Sequence, residues 1–115
     1  MNEGKKFNVF ISLPMHGRSV EEIRKRQHDI FNSIAKSGWV LMDTITDENP
    51  EDASRLWYLG RAIQLLGDAD LVVFSDDWRK AKGCHVEHMA CIKYGIAFID
   101  LSDDFYMDHL NTIDI

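Results

Sequence analysis

The chain has 115 residues, 45% of them apolar and 28% charged, with a formal net charge of −6. That is the length of one domain spanning 1–115, and the composition is globular rather than the polar, weakly hydrophobic signature of disorder. The acidic balance argues against polynucleotide as a partner, since phosphate-backbone binders need a basic face.

No apolar run approaches a membrane span, and "MNEGKKFNVFISL" is too short and interrupted for a signal peptide. Cys84 and Cys91 suit free thiols on one helix, because disulfides are rare in a reducing cytosol. A cytoplasmic protein without membrane contact is the expectation.

Phe7 to Ser12 is apolar and β-rich, as expected for a short buried strand of a parallel sheet. Ser19 and Glu22 then form a capping box ahead of Val20, Ile23, Gln27, Ile30, Phe31 and Ile34 at helical spacing, and Gly38 ends that helix. Trp39 to Asp43 reads as a second strand. Asn49 and Pro50 form a helix start, and the helix runs through "EDASRLWYLGRAIQLL" to a stop at Gly67. Asp70 to Ser75, the most apolar segment, is a central third strand. After the loop "DDWRKAKG" comes the helix "CHVEHMACIKY", stopped by Gly95, and a fourth strand "IAFID". The tail from Leu101 offers one more short helix.

The alternation βαβαβαβ predicts an α/β fold, a Rossmann or flavodoxin-like three-layer domain with a four-stranded parallel sheet. Right-handed crossovers favour the strand order 2-1-3-4. In such a sheet ligands bind beyond the carboxyl ends of the strands, where the winding reverses. That point lies between the first and third strands, so the loops "LPMHGRS" and "DDWRKAKG" face each other there.

In the first loop, Gly17 would let the backbone approach a ligand, while His16 and Arg18 would add donors beside a helix amino end that favours anions. The plainer reading is a simple turn at Pro14 and Gly17 with Arg18 solvated. In the second loop, Arg79, Lys80 and Lys82 would complete a basic ring with Arg18, suited to a nucleoside phosphate, or else form a solvated face. Trp78 could stack on a base while Asp76 and Asp77 accept from it; otherwise the indole packs and the aspartates cap the loop.

Glu87 lies near the start of the third helix, where the dipole would lower its pKa and keep it anionic. A carboxylate at a crevice can attack a sugar carbon whose leaving group is a stabilised base. A simple dipole partner is the plainer role. Cys84, His85 and His88 share a helix face, but zinc needs three or four ligands and no second cluster completes a set, so no metal or other cofactor is expected. One of the histidines could instead donate to the leaving base or orient Glu87.

Together "VFISLPMHG", "DADLVVFSDDW" and "KGCHVEHMACIKYGIAFI" resemble the nucleoside 2-deoxyribosyltransferase superfamily, over nearly the whole chain to about Ile99 and most specifically from Gly83 to Ile99. The resemblance implies cleavage of the N-glycosidic bond of a nucleoside or nucleotide, with Glu87 as the nucleophile that forms a covalent sugar intermediate. It implies that Ser12, Leu13, Pro14, Met15, His16 and Gly17 cradle the substrate; Arg18, Trp78, Lys82, Gly83 and His88, read from the residues themselves as crevice groups, are expected around the same site. Asp76 or Asp77 would contact base or sugar. It also implies a homo-oligomer, to which the aromatic tail at Phe105 and Tyr106 could contribute. The sequence departs from the family pattern at Ala81, where the transferases carry an aspartate six residues before the glutamate, and at Leu13 and His16 in the first loop.

Overall fold

The structure, a computed structural model, describes residues 6–45 and 50–102. Four parallel strands, β1 (Phe7–Ser12), β2 (Trp39–Leu41), β3 (Leu71–Phe74) and β4 (Phe98–Asp100), form one sheet in the order β2-β1-β3-β4. The helices are α1 (Val20–Ile34), α2 (Arg55–Leu66) and α3 (Lys82–Tyr94), and a single 3-10 turn, Trp78–Lys80, precedes α3. The α/β class and the 2-1-3-4 order expected from the sequence are both present.

Strand periodicity divides the core in two. Val9 and Ile11 of β1 and Leu71 and Val73 of β3 pack with Ile23 of α1, whereas Phe10, Val72 and Phe74 pack with Leu66 of α2 and with Cys84 and Cys91 of α3. Successive side chains of a strand point to opposite faces, so α1 covers one face and α2 with α3 the other. Ser12, two residues after Phe10, therefore points toward α2 and α3. Both cysteines are free thiols.

Several boundaries differ from the sequence expectation. Helix α1 is capped by Ser19, whose Oγ accepts from the Glu22 backbone N–H, but it stops at Ile34, not at Gly38. Gly38, at φ +87°, instead forms the turn into β2, a left-handed conformation that favours glycine. Helix α2 begins at Arg55, with Ser54 Oγ accepting from the Trp57 N–H; Pro50 belongs to a preceding turn in which the Ala53 N–H donates to the Pro50 carbonyl. Asn49, the cap expected there, and the tail helix from 103 onward, with Phe105 and Tyr106, lie outside the described residues. Gly95, at φ +67°, ends α3 as expected. Strand β1 has the bounds expected, whereas β2, β3 and β4 are shorter than their apolar runs, because the ladder extends only where neighbouring strands overlap; β2, for example, pairs with β1 from Trp39 to Leu41.

Among the described residues no helix is long and apolar enough to cross a membrane.

Candidate functional site

The carboxyl ends of β1 and β3 lie side by side. Ser12 pairs with Phe74 in the ladder, and the Ser75 N–H donates to the Ser12 carbonyl at 3.0 Å. Helix α3 crosses beneath this point with Cys84, Glu87 and Cys91 turned inward, a spacing of three and four residues that aligns side chains on one face. Ser12 Oγ donates to Glu87 Oε1 at 2.6 Å.

Glu87 is only 7% exposed. Burial raises its pKa to about 7, with the Ser12 hydrogen bond opposing the rise. This overturns the expectation that the helix dipole holds the carboxylate well below neutrality. As the sixth residue of α3, Glu87 lies past the first turn, where the dipole effect has fallen off, and desolvation of the charged form dominates. At neutral pH Glu87 therefore exists in both protonation states.

Asp77 does not present a free carboxylate. Arg26 of α1 donates to both of its oxygens, from Nη1 at 3.0 Å and from Nη2 at 2.8 Å; Ser75 Oγ adds 2.8 Å and Arg18 Nη2 3.4 Å. Burial by itself would raise the Asp77 pKa, but the hydrogen bonds from Arg26 and Ser75 and the Arg26 charge more than offset it, to about 2. Both oxygens are thus engaged, and Asp77 anchors the β3–α3 loop to α1. Asp76, with a side chain 75% exposed and a single Arg26 contact at 2.9 Å, is the freer of the two.

Trp78 is a packing residue in this structure, not a platform for a base. It is 4% exposed and lies parallel to the His88 ring at 4.3 Å. Its Nε1–H donates to Asp100 Oδ1 at 2.9 Å and to Ser102 Oγ at 3.1 Å. His88 sits in the same aromatic cluster against Phe74 and Phe98, and burial lowers its pKa, which favours the neutral ring. It faces Asp100 at 3.8 Å and does not orient Glu87. His85 faces the Arg79 carbonyl at 2.7 Å.

The first loop is a turn in which the Arg18 N–H donates to the Met15 carbonyl and Gly17 takes φ +79°, the position that a type II turn reserves for glycine. A Cβ at Gly17 would meet nothing within 4 Å, so conformation, and not close approach, requires the glycine. Leu13 is buried, and Met15 packs against the α1 side of the core; Pro14 is half-buried, and His16, Gly17 and Arg18 are exposed. The basic ring is only partly assembled. Arg18 turns to Asp77, and Arg79 turns away to Ser102 and Asp100. Lys82 is exposed at the start of α3, beside half-buried Gly83.

Sequence reasoning missed Arg26, whose position in the middle of a polar helix face gives no local signal. It also missed Arg55, whose Nη2 lies 3.3 and 3.4 Å from the two ring nitrogens of His16 and so ties α2 to the first loop. A cleft of about 430 Å³ opens on the α1 side, lined by Arg26, Asp29, Ile30, Ser33, Asp76 and Leu101; Glu87 is not part of its wall. Among the described residues no group of three or more His, Cys, Asp or Glu is placed to hold a metal.

No protein-family model, curated protein or solved structure matches this chain.

Proposed function

We propose that the protein cleaves the N-glycosidic bond of a (deoxy)nucleoside or its 5′-monophosphate, with transfer of the sugar to another base or to water. The observation that carries this reading is the Glu87 carboxyl, buried at the carboxyl end of β1, held through one oxygen by Ser12 and poised near neutrality. In its ionised form the second oxygen, Oε2, attacks C1′. The C1′–N bond breaks, and its electron pair leaves with the base, which takes a proton from water. A second base or a water molecule then adds to C1′ and loses a proton, and the sugar–carboxylate bond breaks to restore Glu87. The reading includes a homo-oligomer working in the cytoplasm.

A second reading, a nucleotide-binding protein without turnover, is favoured by Ala81 in the family's aspartate position and by the full engagement of Asp77.

Incubation of wild type and Glu87→Ala with mixed nucleosides and 5′-monophosphates, with and without an acceptor base, tests both by chromatography and mass detection. Base release or exchange by wild type alone supports the glycosidase, with a rate that rises as pH passes through about 7 and Glu87 ionises. Equal turnover by Glu87→Ala removes the nucleophile. No turnover, with a melting temperature raised by one nucleotide, supports the binding protein.

A further inference from the structure

We propose that the C-terminal segment 103–115 packs as a helix along the outer face of α3, with aspartates at its two ends paired to Lys82 and Lys93 and apolar side chains between them. The contact concerns the solvent side of α3 and stands apart from the activity proposed for its inner side.

Helix α3 is apolar on both sides. Its inner side packs into the core through Cys84 and Cys91. Its outer side presents Val86, Met89 and Ile92, which are 45%, 52% and 55% exposed. Helix α1, by contrast, turns Glu21, Lys25, His28 and Asn32 outward. An apolar stripe on the solvent side of a helix that is already packed marks a contact surface. Exposed Lys82 and Lys93 close the two ends of this stripe. Lys82, Val86, Met89 and Lys93 follow one another at spacings of four, three and four residues, which keeps them on one side of the helix.

The C-terminal segment repeats the pattern with the charges reversed. Asp103, Met107, Leu110 and Asp114 have the same spacings of four, three and four residues. Tyr106 and Ile113 flank Leu110 on the same side of a helix. The paired charges are eleven residues apart in both segments, about 16 Å along a helix at 1.5 Å per residue. From Trp78 to Phe98 the only acid is Glu87, which is buried, against the cations Arg79, Lys80, Lys82 and Lys93. Residues 103–115 hold four aspartates and no lysine or arginine.

The segment also departs from the correct place. Ser102 is held beside the start of α3: its Oγ accepts from Trp78 Nε1 at 3.1 Å and from Arg79, residues that shortly precede Lys82. As the crossover between the parallel strands β3 and β4, α3 runs back from the carboxyl ends of the strands. A helix leaving Ser102 along it runs in the same direction, so Asp103 meets Lys82 and Asp114 meets Lys93. Apolar burial supplies most of the attraction, because exposed ion pairs contribute little, and the charges fix the register. The cleft on the α1 face is a poorer seat for so acidic a segment, since Asp29 and Asp76 line its wall.

The experiment is paramagnetic broadening of backbone amide signals in the full chain, with a nitroxide on Thr112→Cys, a position on the side of the proposed helix away from Leu110. Both native thiols are buried, so the label goes to the introduced one. Amides of Met89, Ile92 and Lys93 should broaden, and those of Ile30 and Ser33 should stay sharp. Broadening at Ile30 and Ser33 would put the segment in the α1 cleft and overturn the inference, as would no broadening at α3. Equal broadening at α3 in isotopically enriched, unlabelled copies mixed with labelled, unenriched ones would assign the segment to a second copy and overturn it too. In Lys82→Asp/Lys93→Asp the broadening at α3 should be lost, and adding Asp103→Lys/Asp114→Lys should restore it. Broadening that ignores the charge reversal would refute the paired register.

Discussion

Glu87→Gln converts the desolvation of one buried carboxyl into a difference in stability. Burial raises the Glu87 pKa from 4.5 in the unfolded chain to about 7, so the native state holds this proton more tightly than the unfolded state. The stabilisation is present below about pH 4.5 and is lost as pH rises through about 7. The rise from 4.5 to about 7, at 1.36 kcal/mol for each tenfold change in proton affinity, amounts to about 3 kcal/mol of ionisation cost in the folded protein above about pH 8, against about 1 kcal/mol near pH 5. Glutamine keeps an acceptor for Ser12 and has no proton to lose. Urea denaturation at about pH 5 and about pH 8.5 should therefore show the stability advantage of Glu87→Gln over wild type growing by about 2 kcal/mol at the higher pH. Parallel pH dependence in the two proteins would refute the buried, perturbed carboxyl and, with it, the poise on which the proposed chemistry depends.

Arg26→Ala should cost about 2 kcal/mol near neutral pH by taking from the part-buried Asp77 the guanidinium that engages both its oxygens, with Ser75 and the longer Arg18 contact among what remains. Because the Asp77 pKa is lowered to about 2, this contribution is present above about pH 4 and fades as pH falls through about 2; acid denaturation curves that stay equally far apart at all pH values would contradict the assignment. Trp78→Phe removes the Nε1–H donor to Asp100 and Ser102 and should cost about 1–3 kcal/mol in chemical denaturation. If the protein binds a nucleotide as proposed, that affinity should be unchanged in Trp78→Phe, and a loss of tenfold or more by calorimetry would restore Trp78 as a ligand contact.

Much of the frame was legible locally. The capping serine before α1 and the glycine after α3 are signals within a few residues of the ends they fix. Crossover handedness and the order of elements then led to the 2-1-3-4 sheet and to two loops facing each other at its switch point. Where competing local signals were present, the reading slipped. Asn49–Pro50 and Ser54 are both plausible helix caps, and Ser54 is the one that caps the helix beginning at Arg55; Gly38 is a plausible helix stop, yet it turns the chain so that Trp39 stacks on Phe7 at 4.6 Å.

The sequence by itself determined the alternation of strands and helices, the apolar faces that drive their packing, and the presence of Glu87 near the start of a helix at the strand ends. These follow from periodicity and capping, which act over a few residues. Only the tertiary structure decided how the polar groups are spent: Arg26 on Asp77, 51 positions away; the Trp78 indole on Asp100, 22 positions away; and Ser12 on Glu87, 75 positions away. The charge of Glu87 was decided there too. Desolvation depends on what surrounds a carboxyl in three dimensions, and its nearest hydrogen-bonding partner comes from the other end of the chain.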